Sequence, residues 1–196
     1  MTSAPPVAGL LLTGGASRRL GVDKAALVLD GETLARRAAS VLTAVCEPVF
    51  EVGPGVTDLA VVDEGRRHRG PLVALSAGGE ALRRRGHAGP AIVLAVDLPR
   101  VDVSLLALLR DWPGAPTAVP EVDGRLQTAC ARYGAEALVA AESLVAGGLR
   151  RLHDLLDVVE VDRLGPDAWG EVATPETFCD LDTPADAASL GIELPG

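Results

Sequence analysis

The stretch GLLLTGGASRRLGVDKAAL, residues 9–27, decides how the chain begins to fold. Three leucines run into two glycines, followed by two arginines, a third glycine and an Asp-Lys pair. Continuous apolar residues over 7–12, ending at Gly14-Gly15, fit a short strand buried on both faces. The glycines reach backbone angles closed to other residues and let a ligand approach the chain. Successive N–H groups in such a turn form a concave anion site. Arg18 and Arg19 add forked donors, and Lys24 adds a compact charge. A polyphosphate satisfies all of these groups at once. A pair of glycines alone would serve equally as a tight turn with solvated arginines; the full arrangement favours the anion site. It is not a P-loop, because Gly21 is followed by Val22-Asp23. It is not the dinucleotide fingerprint either, because Gly14-Gly15-Ala16 breaks that spacing.

Working outward, short apolar runs alternate with helical periodicity. Residues 32–45 place Leu34, Ala38, Val41, Leu42 and Val45 on one helix side. Strands are expected at 48–52 and 58–62, and a helix from Gly70-Pro71 to about residue 85, with proline well placed just inside its start. AIVLAV, residues 91–96, is a buried strand ending at Asp97, and a helix follows at 104–110. Residues 116–120 and 126–132 read as two strands around an Asp123-Gly124 turn. Helices are expected at 135–145, from about Leu149, and at 184–190, with a strand at 158–161. Strands alternating with helices imply an α/β fold of three layers with a mostly parallel central sheet, here one domain over residues 1–196. Ligands of such sheets bind at the carboxyl ends of the strands. The loop after Leu12 and Asp97 should therefore lie side by side.

Composition narrows the function. The 196 residues are 48% hydrophobic and only 3% aromatic, so the core is built from Leu, Val and Ala. A net charge of −9 repels phosphate backbones and argues against general nucleic-acid binding. Cys46, Cys130 and Cys179 are far apart with no CxxC, which speaks for a reducing compartment and against a disulfide framework. No apolar run reaches the roughly 20 residues of a membrane helix, and MTSAPPVAG lacks the features of a signal peptide. The expectation is a cytoplasmic protein with no membrane partner. His68, His87 and His153 lack metal-ligand spacing and read as surface residues, and Arg83-Arg84-Arg85 reads as a solvated helix end that complements the helix dipole.

Residues 12–24, LTGGASRRLGVDK, resemble the LAGGxSxRMGxDK signature of the molybdenum cofactor guanylyltransferases, within the Rossmann-like nucleotidyltransferase superfamily. Gly14, Gly15, Ser17, Arg19, Gly21, Asp23 and Lys24 match; Thr13 replaces the usual Ala and Leu20 the usual Met. VLAVDLPRV, residues 93–101, resembles the family strand ending in Asp-x-Pro. Gly70-Pro71-Leu72 resembles its GPL turn, and Val61-Val62-Asp63 a strand end carrying an acid near the nucleotide. In the second half, Gln127-Thr128-Ala129, the Gly147–Leu152 region and Asp182-Thr183-Pro184 are similar to weaker family motifs. Here Asp stands where the family has the Asn of its NTP motif, a form also typical of related cytidylyltransferases.

The resemblance implies a Rossmann-like nucleotidyltransferase fold and Mg²⁺-dependent transfer of GMP from GTP to the phosphate of molybdopterin or the molybdenum cofactor. It implies catalytic Lys24, Arg19 and Asp97, with Asp97 as the metal ligand. Leu12, Thr13, Gly14, Gly15, Lys24, Asp63, Gly70 and Asp97 would bind nucleotide. One Asp at a strand end suits Mg²⁺, which takes few carboxylates besides phosphates and water. Asp97 could otherwise cap a helix, although Asp102 is better placed for that. Asp63 serves base, ribose or a turn equally. Partners would be GTP and molybdopterin, with room for handover to molybdoenzymes or their chaperones. The rivals are cytidylyl transfer and a noncatalytic nucleotide-binding adaptor.

Overall fold

The protein's structure, a computed structural model, describes residues 6–14, 20–63, 70–192 and 194. In chain order the elements are β1 (Ala8–Leu12), a 3₁₀ turn (Lys24–Ala26), β2 (Val28–Leu29), β3 (Glu32–Thr33), α1 (Leu34–Thr43), β4 (Val49–Val52) and β5 (Ala60–Val62). Next come α2 (Pro71–Arg84), β6 (Ala91–Ala95), α3 (Val103–Asp111), β7 (Thr117–Val122), β8 (Arg125–Leu126), β9 (Cys130–Tyr133) and α4 (Ala135–Ala146). The chain closes with α5 (Leu152–Leu156), β10 (Val161–Leu164), α6 (Pro166–Trp169), a 3₁₀ turn (Pro175–Phe178) and α7 (Pro184–Leu190).

The main sheet runs β10-β7-β9-β6-β1-β4-β5, with β8 added to β7. β1 pairs in parallel with β4 and β6, β4 with β5, and β10 with β7. β9 runs antiparallel to both β6 and β7. Every residue of β1 is buried, because helices cover both faces. Ala8, Leu10 and Leu12 point into one core with α2, α4 and α5; Leu11 points into the other with α1 and α3. The period of two thus sorts one strand's side chains into two layers. On α2, Gly78 and Gly79 permit the close fit. A Cβ at Gly78 would lie 2.7 Å from Leu10 Cδ1, and one at Gly79 3.2 Å from Leu138 Cβ.

A third apolar cluster matters most for the site. Leu20, Ala25 and Leu27 from the segment after the glycine-rich loop pack with Leu34 and Ala35 of α1, Val96 at the exit of β6, and Leu181 and Ala187 around α7. It draws three distant chain segments to one end of the sheet.

Several expectations are corrected. Residues 126–132 are not one strand. Asp123 and Gly124, both at positive φ, make the tight turn expected there. However, Glu121 faces Leu126 while Ala118 faces Arg132, so residues 127–129 bulge out of the ladder. The last strand lies at Val161–Leu164 rather than 158–161, and Val158 is exposed. Its anchor is polar: the Asp162 carboxylate accepts from Trp112 Nε1 at 2.7 Å and from the Ala115 N–H at 2.8 Å. The helix expected near Leu149 starts at Leu152. Residues 32–33 pair as a strand with β2, so α1 begins at Leu34 with Thr33 as its N-cap. The arginine run is engaged rather than merely solvated. Arg83 pairs with Glu142 on α4, Arg84 pairs with Glu80, and the Arg85 guanidinium sits 5.0 Å over the Phe50 ring. His153 is exposed, His87 is half-buried with a ring nitrogen 3.1 Å from the Pro90 carbonyl oxygen, and His68 lies outside the described residues. Cys46, Cys130 and Cys179 are free thiols. Among the described residues no helix is long and apolar enough to cross a membrane.

Candidate active site

The carboxyl ends of β6, β1, β4 and β5 are adjacent, and the expected site residues follow them. Leu12 pairs with Ala95, and the Val96 N–H donates to the Leu12 carbonyl at 3.1 Å, so the glycine-rich loop and Asp97 leave the sheet side by side. Past the loop, Gly21 takes φ +72°, a left-handed value that favours glycine. Asp23 then caps the short turn by accepting from the Ala25 N–H at 3.0 Å. That cap fixes the direction in which Lys24 leaves.

Lys24 Nζ donates to Asp97 Oδ2 at 3.0 Å and to Asp182 Oδ1 at 2.6 Å. Asp97 is carried by β6. Asp182 arrives because the Leu181 N–H donates to the Asp97 carbonyl at 2.9 Å, while Leu181 itself is fully buried in the third cluster. Thr183 and Asp186 then cap α7 reciprocally, which stiffens the segment bearing Asp182. Burial acts to lower the Lys24 pKa, but the charges and hydrogen bonds of Asp97 and Asp182 outweigh it and hold the ammonium above the ordinary lysine value. Asp180 is pushed upward, first by partial desolvation of its carboxyl and then by the charges of Asp182 and Asp97. Among the described residues, the Lys24 ammonium faces the charges of Asp97, Asp180 and Asp182.

The remaining predicted residues divide. Leu12 and Thr13 are buried, Gly14 is exposed, and all three sit at the end of β1. The Thr13 hydroxyl points inward to Glu51 and the Thr13 N–H donates to the Val52 carbonyl at 3.2 Å, so both Thr13 donors are engaged within the protein. Asp63 is exposed at the end of β5. Three strand spacings separate the end of β5 from β6, on the order of 14 Å. Gly70 takes φ +102° and opens α2 against the segment after α4; the Leu72 N–H donates to the Arg150 carbonyl at 3.2 Å. Gly15 and Arg19 lie outside the described residues.

The bulge at 127–129 is beside Asp97, because the Ala95 N–H donates to the Ala129 carbonyl at 2.8 Å. The buried Tyr133 hydroxyl donates to the Thr128 carbonyl at 2.8 Å and steadies it. Asp102, as expected, caps α3 by accepting from the Leu105 N–H at 3.1 Å, which leaves Asp97 free of that duty.

Sequence reasoning missed two residues. Asp182 was noted only as part of a motif, and its meeting with Lys24 spans 158 positions. Glu51 was passed over. It sits fully buried at the end of β4, and the signal was present as a charge inside the apolar run VFEV.

A divalent ion can be tested against these donors. Asp97 and Asp182 converge on one point that Lys24 Nζ now marks, and both offer hard oxygen atoms of the kind Mg²⁺ takes. Among the described residues no group of three or more His, Cys, Asp or Glu side chains forms a complete metal cage. The donors fit an ion completed by phosphate oxygens and water, not a stand-alone structural metal.

The family described as MobA-like NTP transferase domain matches residues 9–161. The chain is 33% identical over 195 residues to a probable molybdenum cofactor guanylyltransferase of Mycobacterium marinum, covering 93% of this chain and 95% of that one. Molybdopterin-guanine dinucleotide biosynthesis protein A from Archaeoglobus fulgidus superposes with a TM-score of 0.78 at 20% identity, over 94% of this chain and 96% of the other. The manganese complex of Rv0371C from Mycobacterium tuberculosis superposes with a TM-score of 0.62 at 18% identity, over 96% and 98%. A family match over residues 9–161, together with a relative 33% identical over nearly the whole chain, places the protein in the MobA-like NTP transferase family as a nucleotidyltransferase.

Proposed function

We propose that residues 1–196 form one catalytic domain that transfers GMP from GTP to the terminal phosphate of molybdopterin, empty or molybdenum-loaded, in a Mg²⁺-dependent reaction. The observation that carries this is the convergence of Lys24, Asp97 and Asp182 at the exit of the glycine-rich loop. The lysine and two acids gathered there speak against an adaptor that only binds nucleotide.

An oxygen of the pterin phosphate attacks the α-phosphorus of GTP in line. The bond from that phosphorus to the bridging oxygen breaks, and pyrophosphate leaves with the electron pair. No protein nucleophile is needed, since the attacking phosphate is already ionised. The chain's work is alignment and charge neutralisation. Gly14 and Gly15 offer backbone N–H groups to the phosphates, and Arg19 offers a guanidinium. Lys24 exchanges its carboxylates for phosphate oxygens as the nucleotide arrives. Asp97, with Asp182, would hold Mg²⁺, which when bound supplies positive charge at the phosphates. Asp63 faces the base or ribose, where guanine presents two donors. The manganese complex of the Rv0371C protein accords with a divalent ion in this fold.

The test is competition of GTP against CTP with molybdopterin and Mg²⁺, read as pyrophosphate release. Preferred use of GTP supports the proposal. Preferred use of CTP makes the enzyme a cytidylyltransferase, and nucleotide binding without turnover makes it an adaptor.

A further inference from the structure

Glu51 has no part in the chemistry above, yet its surroundings are built around it. Its side chain is fully buried at the carboxyl end of β4. Oε1 accepts from the Thr13 hydroxyl at 2.6 Å, the Gly55 N–H at 2.8 Å and the Val56 N–H at 2.9 Å. Oε2 accepts from the Val56 N–H at 3.0 Å, the Thr57 N–H at 2.9 Å and the Thr57 hydroxyl at 2.6 Å. Two hydroxyls and three consecutive backbone donors therefore take up both oxygens. A buried carboxylate is costly to desolvate, and a neutral apolar residue would fill a strand at less cost. What the carboxylate adds is geometry. Residues 53–57, GPGVT, form no strand or helix, and Gly53 and Gly55 adopt positive φ of 154° and 82°. Such a segment has little conformational preference of its own, and Glu51 supplies one.

The held loop also abuts Thr13 and Gly14, where the chain leaves β1. A Cβ at Gly53 would fall 2.2 Å from Thr13 Oγ1 and 2.9 Å from the Gly14 nitrogen. Displacing residues 53–57 therefore disturbs the first backbone donor on the phosphate side.

We propose that Glu51 is a positioning residue for nucleotide binding: through Thr13 and the N–H groups of residues 55–57 it locks the loop after β4 against Thr13 and Gly14 at the end of β1. The proposal rests on the assignment of the glycine-rich loop to the nucleotide. The lock acts before chemistry, by preorganising a binding surface, so its loss falls on affinity rather than on the bond-breaking step. Glutamine cannot replace glutamate there, because its NH₂ group would face donors instead of accepting from them.

The experiment uses the full chain. Binding of Mg²⁺ complexes of GTP, CTP, ATP and UTP to the unaltered protein is measured first by calorimetry; a protein that binds none of them removes the nucleotide site and this proposal with it. With binding established, Glu51→Gln, Thr13→Val and Thr13→Ser are compared for Kd, KM, kcat and Tm. Glu51→Gln should raise Kd and KM about tenfold or more, with kcat within about threefold, the size expected when buried partners are left unpaired. Thr13→Val should raise Kd by about three- to tenfold, Thr13→Ser should restore it, and the Thr13→Val/Glu51→Gln pair should add little to Glu51→Gln alone. If Glu51→Gln fails to fold, Thr13→Val, which leaves the other donors in place, decides. A folded variant with a lowered Tm but an unchanged nucleotide Kd would show Glu51 to be structural only and overturn the proposal, leaving the nucleotide site intact.

Discussion

Replacing Lys24 by methionine separates the two parts proposed for this residue. The ammonium lies 3.0 Å from Asp97 and 2.6 Å from Asp182, with the Lys24, Asp97 and Asp182 side chains 14%, 28% and 41% exposed. The half-buried contact to Asp97 belongs with charge-assisted hydrogen bonds, worth about 1.5–3 kcal/mol. The contact to Asp182 is open enough to water to count as a surface pair, worth about 0.2–1 kcal/mol. Methionine keeps most of the volume and removes the cost of desolvating the ammonium, so the net loss should be about 1–2 kcal/mol. For a chain of this size that lowers Tm by about 2–8 °C without metal. The same change takes the Lys24 ammonium away from Asp97 and Asp182. Free Mg²⁺, read by calorimetry without nucleotide, should then bind about tenfold more tightly, since removing a competing cation worth about 1.4 kcal/mol changes affinity tenfold. Saturating Mg²⁺ should recover much of the lost Tm. Turnover should fall by about 10²–10³, the loss typical of one electrostatic donor to a transition state. A variant with unchanged Mg²⁺ affinity and near-normal turnover would refute the idea that Lys24 holds the place of the ion and then serves the phosphates.

Other perturbations follow from the same geometry. Gly70→Ala puts a Cβ 2.7 Å from the Arg150 carbonyl oxygen at φ +102°, so both backbone strain and overlap oppose it; Tm by calorimetry should fall by at least about 5 °C. Burial pushes the Glu51 pKa up, but hydrogen bonds from Thr13, Thr57 and the Val56 N–H outweigh it and hold the group below its usual 4.5. A depressed carboxylate stabilises the fold above its unfolded pKa and loses that contribution as pH falls through the folded one, so denaturant melts below about pH 4.5 should show the unaltered protein converging on Glu51→Gln. Arg132 is buried and donates to the carbonyls of Pro116, Arg110, Trp112 and Ala115, far from the site. Arg132→Leu should cost about 3–5 kcal/mol in denaturant melts, by stranding buried acceptors, while nucleotide KM stays unchanged.

Much of the geometry around this candidate site was legible in the chain because strand-end signals and the candidate residues coincide there. LLL before Gly14-Gly15 and AIVLA before Asp97 mark strands buried on both faces, and parallel pairing then forces their exits together. Gly70-Pro71 and the Asp102 cap are start signals that tertiary packing leaves in force. The signals failed where structure rests on long-range polar contacts. β10 is a polar edge strand whose place is set by Asp162 reaching Trp112, so the apolar Val158-Val159 drew the expectation three residues early. The bulge at 127–129 has no local mark, because it arises from the register of β9 against β7. Asp182 joins the site only through Leu181 and the third apolar cluster. Glu51 was legible only as an oddity, a charge in an apolar strand, and its meaning depends on donors from two different loops.

The most direct test of the central claim is a crystal structure of the protein with a nonhydrolysable GTP analogue and Mg²⁺. The triphosphate should lie along Gly14, with Lys24 turned from Asp182 to the phosphates and the ion on Asp97. Nucleotide density elsewhere, with the Lys24–Asp97 contact still closed at 3.0 Å, would contradict it.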